Sequence, residues 1–333
     1  MPTAFLARVA LVALGLGLCA PAAAIAQGQR VLLEEIRRIE PISGGTLGIA
    51  AVHLETGRSF SYQADQQYPL ASTYKVPIAI QAFKLVEEGK LDLDRMITIE
   101  PSDIHIGSEF NNLFQARGVA LSVRVLIEDM LIFSENSATD KVLELAGGGE
   151  QVTARLRAFG IQQLRVDRAT ADIIANPYGI TDIWTQNGKF SKEAWERAIA
   201  AVPPARRDSA GWYYGRDPRD HGSPTAMLQI LTRLWKGELL SKANRDYMLD
   251  IMYRCETGAA RIKGMLPAGT RVAHKTGTYP STANDVGIID LPDGTHLAIA
   301  VMVKGSTKET PALEQAIAHA SRAIYDAALF GAL

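Results

Sequence analysis

The hydrophobic period changes twice along this chain, and those two changes limit the fold more than any other feature. The segment GTLGIAAVHLETGRSFSYQAD (45–65) alternates apolar and polar residues around Glu55-Thr56-Gly57-Arg58, the pattern of a β-hairpin. From Ser72 onward STYKVPIAIQAFKLVEEGK, VRVLIEDMLIFSEN, SATDKVLELA and EQVTARLRAF carry helical spacing, with Gly147-Gly148-Gly149 breaking the last two. SPTAMLQILTRLW and KANRDYMLDIMYRC are helical as well. RVAHKTGTY, NDVGIIDLPDG and HLAIAVMVKG then read as three strands with a turn at Asp293-Gly294, before a closing helix at about 311–328. With a helix at about 29–39 in front of the hairpin, strands at both ends enclose a helical middle. That order predicts an α+β fold: one antiparallel sheet assembled from the two termini and flanked by helices, with an all-α block inserted. The expected division is residues 27–68 and 224–333 for the sheet domain and 69–223 for the helical one.

The first residues are of another kind. MPTAFLARVALVALGLGLCAPAAAIAQ has a single charge at Arg8, an apolar run and a small-residue stretch ending Ala24-Ile25-Ala26, the layout of a secretory signal peptide cut after Ala26. A retained membrane anchor is the alternative, opposed by Pro21 and the Ala-rich tail. A lipid anchor on Cys19 is opposed by the bulky Leu18. Cleavage predicts a periplasmic or secreted protein with no stable membrane anchor. It would leave one cysteine, Cys255, so no internal disulfide is available and stability must come from a core. With 35 basic and 36 acidic residues there is no basic stripe for nucleic acid or for a membrane surface. The histidines (His53, His105, His221, His274, His296, His319) lack the spacing of a metal site, so neither a metal nor another cofactor is expected.

Three short motifs carry chemistry. Ser72-Thr73-Tyr74-Lys75 puts a hydroxyl at a helix start and an amine one turn along the same face. A hydroxyl attacks poorly until something takes its proton, and a lysine kept neutral by a nearby positive charge can do so. Ser134-Glu135-Asn136 lies between two helices, where a second hydroxyl could relay a proton to a leaving nitrogen and an amide could hold a substrate carbonyl. Lys275-Thr276-Gly277 lies on a strand, an uncomfortable place for a lysine unless it faces a site. Glycine at 277 lets a substrate backbone approach and leaves the Thr278 amide free to donate. Each motif also has a plain structural reading: a helix cap beside a solvated lysine, a capping turn, and a surface edge lysine.

In this order and spacing, SxxK, S-E-N and KTG resemble the serine β-lactamases and penicillin-binding proteins, most closely the class A β-lactamases. LETGRSFSY, ASTYKVPI, SPTAM, ETGAARIKGMLPAGTRVAHKTGT and NDVGIIDLPDG extend the resemblance through nearly all of the chain after the leader. It implies the β-lactamase/DD-peptidase fold, a site in the cleft between the two domains, and a monomer. Ser72 would be the acylated nucleophile and Lys75 its proton acceptor, with Ser134 relaying the proton to the departing nitrogen. Asn136 would bind the substrate side chain, and Lys275, Thr276 and Thr278 its carboxylate, with the backbone N–H groups of Ser72 and Thr278 as oxyanion hole. Glu135, where the family has aspartate, and Gly277 would be structural. Val286 stands where the family often carries an arginine beside the carboxylate site. The substrate implied is a small β-lactam or a D-alanyl-D-alanine-type peptide. The corresponding activities are β-lactam hydrolysis, peptidase-like acyl transfer, or a penicillin-binding sensor that is acylated without turnover.

The same resemblance implies an omega loop that holds the base for deacylation. Arg168 and Asp220 match the ion pair at its neck, but 52 positions separate them, far more than in the usual loop. Thr170 stands where the family has its glutamate, and Ile174 where an asparagine helps hold the water. The excess includes FSKEAWERAIAAV, apolar at helical spacing (Phe190, Ala194, Trp195, Ala198, Ile199, Val202), followed by Trp212-Tyr213-Tyr214. The insertion reads as a packed lid or as a part that shapes the substrate site. Asp172 is the leading replacement base. Behind it stand acids of the insertion (Asp182, Glu193, Glu196, Asp208), then Lys75 or Glu135, or no base at all.

Overall fold

The computed structural model describes residues 26–104, 106–114, 118–185 and 187–333. The expected leader falls outside them up to position 25. Helix α1 covers 26–43, longer than the periodicity predicts, because it runs on through Glu40, whose carboxylate accepts from the Tyr62 hydroxyl (2.6 Å).

The hairpin forms strands β1 (Thr46–His53) and β2 (Ser59–Tyr62). The three later strands are β3 (Val272–Tyr279), β4 (Thr282–Asp290) and β5 (His296–Lys304). They form one antiparallel sheet of order β2-β1-β5-β4-β3, in which β1 pairs with β5 from Thr46↔Lys304 to His53↔Leu297. This pairing joins the two ends of the chain and leaves β3, which carries Lys275, on an edge.

Alternation along β5 explains how the sheet is covered on both faces. Leu297, Ile299, Val301 and Val303 share a core with Leu32 and Ile36 of α1 and with Leu313, Ile317 and Ile324 of the terminal helix Thr310–Leu329. Ala298, Ala300 and Met302 point the other way, into a larger core that continues through the helical block. At its centre lies helix α2 (Lys75–Glu87), buried at every position from Lys75 to Phe83, as expected of a helix that is apolar all round. Around α2 pack α3 (Val123–Ile132), α4 (Asn136–Leu145) and α5 (Gly148–Ala158). Gly147 and Gly148 take left-handed φ values of 90° and 85° and make the break between α4 and α5.

Residues 168–220 are largely helical, with α6 (Thr170–Ala175), α7 (Lys192–Ala201) and α8 (Ala210–Arg216). They have a small core of their own: Ala171, Ala175, Ile180, Ile183, Phe190 and Val202, flanked by Trp184, Trp195 and Ile199. None of the described helices is long and apolar enough to cross a membrane.

Candidate active site

The turn before α2 is held from three directions. Residues Ala71–Tyr74 form a 3-10 turn, entered through Ala71 at a left-handed φ of 45°. The Asn284 amide of β4 donates to the carbonyls of Pro69 (2.8 Å) and Leu70 (3.0 Å), and the Ala71 N–H donates to the buried Tyr214 hydroxyl (3.0 Å). The edge strand closes from the third side. A Cβ at Gly277 would lie 2.7 Å from the Leu70 carbonyl oxygen and 3.0 Å from the Ser72 nitrogen. Only glycine fits there, and its contact brings the Ser72 amide beside the strand that carries Thr278.

Lys75 and Lys275 are both fully buried and meet at one hydroxyl. Lys75 Nζ donates to the Ser134 carbonyl (2.7 Å), to Asn136 Oδ1 (2.9 Å) and to Ser134 Oγ (3.3 Å). Lys275 Nζ donates to Ser134 Oγ (2.9 Å) and to the Thr276 carbonyl (3.0 Å). Burial first, then the charge of Lys275, holds the Lys75 amine well below the usual lysine range, against the opposing pull of Glu135 and Asp140. Burial also pushes Lys275 down to about 8. The surface-lysine reading of KTG is thereby replaced by a buried lysine that faces the S-E-N turn. Among the described residues Lys75 makes no hydrogen bond to Ser72; its contacts go to the turn.

Glu135 caps α4. Its carboxylate accepts the Ala138 N–H and the Ser108 hydroxyl, so the extra methylene relative to aspartate ends on two donors. Asn136 is oriented at both ends, its amide nitrogen donating to the Gly107 carbonyl (3.0 Å) while Oδ1 takes Lys75.

On the carboxylate side Val286 lies opposite Lys275, but a guanidinium arrives from elsewhere. Buried Arg261 donates to Thr278 Oγ1 (2.6 Å), to the Gly277 carbonyl (2.9 Å) and to the Asn284 carbonyl (2.9 Å), with Glu314 as its ion-pair partner (3.1 Å). Arg261 is a residue of the candidate site that sequence reasoning missed. Its only signal was its place in ETGAARIKG, ahead of the strand. Thr276 Oγ1 is bonded to Thr257 Oγ1 at 2.6 Å.

The loop neck is a buried ion pair. Arg168 Nε donates to Asp220 Oδ2 (2.6 Å), and the N–H groups of Asp167 (2.7 Å) and Arg168 (3.1 Å) donate to Asp220 Oδ1. Inside the neck, helix α6 puts Thr170, Ile173 and Ile174 on the face toward Ser72. The Thr170 hydroxyl is bonded to the Tyr74 hydroxyl (2.5 Å), and Asp140 accepts the N–H groups of Thr170 (2.6 Å) and Ala171 (3.2 Å). Asp172 points the other way, accepting from the Trp184 indole (2.8 Å), and burial raises its pKa. The structure does not bring Asp172 beside Ser72: its helical phase turns it into the insertion. Asp182, Glu193, Glu196 and Asp208 are exposed and do not line the cavity either. That cavity, about 60 Å³, is bounded by Ser72, Tyr74, Asn136, Thr170, Ile174 and Thr278 among others, and among the described residues none that lines it is a carboxylate or an imidazole.

With this geometry in hand, comparison with known proteins is direct. The β-lactamase enzyme family matches residues 32–328. The chain belongs to the β-lactamase enzyme family. An imipenem-hydrolysing β-lactamase of Enterobacter cloacae is 26% identical over 297 residues, 88% of either chain. β-Lactamase VEB-1 of Pseudomonas aeruginosa is 28% identical, covering 85% of each. Among solved structures, an ancestral class A β-lactamase (GNCA) is 30% identical, with a TM-score of 0.72 over 89% of this chain and 99% of its own. A β-lactamase from Chitinophaga pinensis is 29% identical, with the same TM-score and coverage.

Within that family the α+β architecture of this chain is the class A one. The loop interior is where this β-lactamase departs from the pattern described above. A threonine and a tyrosine share a hydrogen bond where a glutamate would stand, and the hydroxyl of Tyr279 ties β3 to the Ile174 carbonyl (3.1 Å).

Proposed function

We propose that this class A β-lactamase is an exported enzyme that opens β-lactams through an acyl-enzyme on Ser72, with deacylation as its slow step. The observation that carries the reading is the meeting of two buried lysines at Ser134 Oγ. Burial and then the charge of Lys275 keep Lys75 from holding its proton, so a neutral Lys75 takes the Ser72 proton through a small shift of its amine, and Ser134 passes it to the departing ring nitrogen. The charge of Lys275, with Thr276 and Thr278, holds the substrate carboxylate. Arg261 positions Thr278 and adds positive charge behind it. The Ser72 and Thr278 N–H groups receive the developing oxyanion.

Deacylation has no such help. The described residues around the cavity beside Ser72 offer hydroxyls, the Asn136 amide and aliphatic groups, and general-base catalysis is typically worth about 10²–10⁴ in rate. Lys75, the amine one turn along from Ser72, then serves both half-reactions. The carboxylate-free cavity also favours the second reading: a D-alanyl-D-alanine peptidase-like transferase or an acylated sensor, for which water is not the acceptor.

The layout of the leader supports export, and the class A resemblance supports action as a monomer. Turnover of a chromogenic cephalosporin by wild type and Ser72→Ala tests the assignment. Loss of turnover in the variant is expected, and full retention overturns it.

A further inference from the structure

Two buried hydroxyls meet beside Ser72. Tyr74 closes the turn that presents the nucleophile, Thr170 opens α6, and their side-chain oxygens are 2.5 Å apart. Both side chains are buried, and both line the cavity of about 60 Å³ that Ser72 also bounds. Each partner is fixed from outside that cavity. The turn is pinned by the Asn284 amide and the Tyr214 hydroxyl, and α6 by Asp140, which accepts the Thr170 N–H (2.6 Å). Two hydroxyls joined by a single bond still have an O–H and lone pairs to satisfy. Among the described residues neither makes a second hydrogen bond, and a buried polar group of this kind takes its further partner from the space it lines.

The other polar groups around the cavity are committed elsewhere. Asn136 is held at one end by Gly107 and at the other by Lys75, and the Tyr279 hydroxyl donates to the Ile174 carbonyl. The exposed Thr278 hydroxyl takes Arg261 and is assigned to the substrate carboxylate. Ser72 itself carries the acyl group in the intermediate. Ala71, Ile173 and Ile174 complete the wall with aliphatic groups, so the hydroxyl pair is what is left to fix a small polar molecule next to the ester. We propose that Tyr74 is a positioning residue for deacylation: through its bond to Thr170 it holds the water that releases the acyl group from Ser72. The water donates one hydrogen to the pair, which keeps a lone pair of its oxygen toward the ester carbon. As the new C–O bond forms, the other proton passes to the neutral Lys75 amine, and it returns to Ser72 Oγ as the ester bond breaks. The pair is no base. It orders the water and leaves the proton to Lys75, which is why release stays slow. Size sets the acceptor as well: a water takes about 30 Å³ in the liquid, so this cavity admits water and not the amine of an amino acid or peptide.

This inference rests on the acyl-enzyme at Ser72, and its test tells the two apart. Formation and decay of the adduct, followed by intact mass in single-turnover reactions with a chromogenic cephalosporin, give the two half-reactions separately. Tyr74→Phe and Thr170→Val each keep the shape of the side chain and remove one hydroxyl. Each should slow decay by about tenfold, the worth of one hydrogen bond to the attacking water, while the burst rate stays within about twofold of wild type. Thr170→Ser, which returns the hydroxyl, should recover what Thr170→Val loses. A role in packing or in the shape of the turn would instead slow burst and decay together. D-Alanine added as an amine acceptor should neither speed decay nor give an acylated amino acid. Decay indifferent to both hydroxyls, a burst that falls in step with decay, or transfer to D-alanine overturns the proposal while the Ser72 adduct still stands. No adduct on Ser72 in wild type overturns the acyl-enzyme reading, and this inference with it.

Discussion

At the scale of single residues, the deacylation half of the reaction turns on which way a few side chains of α6 point. Thr170 and Asp172 are two positions apart, about 200° around a helix, so at most one can face Ser72. Thr170 does, bonded to Tyr74, while Asp172 accepts from Trp184. Asp172→Asn is expected to leave decay of the acyl-enzyme unchanged, measured in single-turnover experiments. Thr170→Glu puts a carboxylate on the face toward the ester, in reach of the Tyr74 hydroxyl, and should speed the same decay by up to about 10²–10⁴. Slower decay in Asp172→Asn alone would return the base to Asp172. The motif residues were legible from the sequence because their spacing is local: Ser72 and Lys75 are one turn apart, and Lys275 to Gly277 occupy one strand. The phase of α6 was not, because Pro177, the left-handed Gly179 and the insertion after them decide where that short helix starts and stops. Arg261 was missed for a related reason. Its guanidinium reaches Thr278 from a turn that becomes adjacent only once β3 and β4 pair.

At the scale of elements, the insertion belongs to the nucleophile's support as well as to its own core. Helix α8 is seated on the turn after β3: a Cβ at Gly211 would lie 2.5 Å from the Pro280 carbonyl oxygen. From there Tyr214 reaches the Ala71 N–H, and its ring packs on Tyr279 with centroids 4.5 Å apart. Ala71 holds its left-handed φ only while its surroundings fix it, and loss of the Tyr214 hydroxyl leaves a buried N–H without an acceptor. Tyr214→Phe is therefore expected to cost about 1–3 kcal/mol of stability. Acylation should slow as well, since the turn that presents Ser72 loosens. Thermal melts and the burst rate check the two effects. A variant that matches wild type in both would show that the insertion only covers the site. The helical spacing of FSKEAWERAIAAV was readable, and α7 forms at Lys192–Ala201. The anchoring by Tyr214 was hidden because one buried hydroxyl among three consecutive aromatics carries no periodic signal. On the other side of the same element, Trp212 and Tyr213 are exposed beneath Arg216 and Arg206.

At the scale of the whole molecule, the two changes of hydrophobic period are the two places where the chain leaves and rejoins one sheet. The β1–β5 pairing closes that sheet across the chain ends, and α2, which follows the Ser72 turn, fills the core on its other side. This arrangement was legible because alternation and helical spacing are strong over long segments. The lengths of α1 and of the terminal helix were less so, since both are fixed by packing on the sheet face. On the proposed reading such a molecule is well equipped for acylation and poorly equipped for deacylation, and its kinetics should show the imbalance. Intact-mass spectra taken through a reaction with a chromogenic cephalosporin test this most directly. The account predicts an adduct on Ser72 that forms in a stoichiometric burst, stays the dominant species while colour develops slowly, and disappears once substrate is exhausted. Turnover with the free enzyme dominant throughout would contradict slow deacylation, and an adduct that never resolves would contradict hydrolysis.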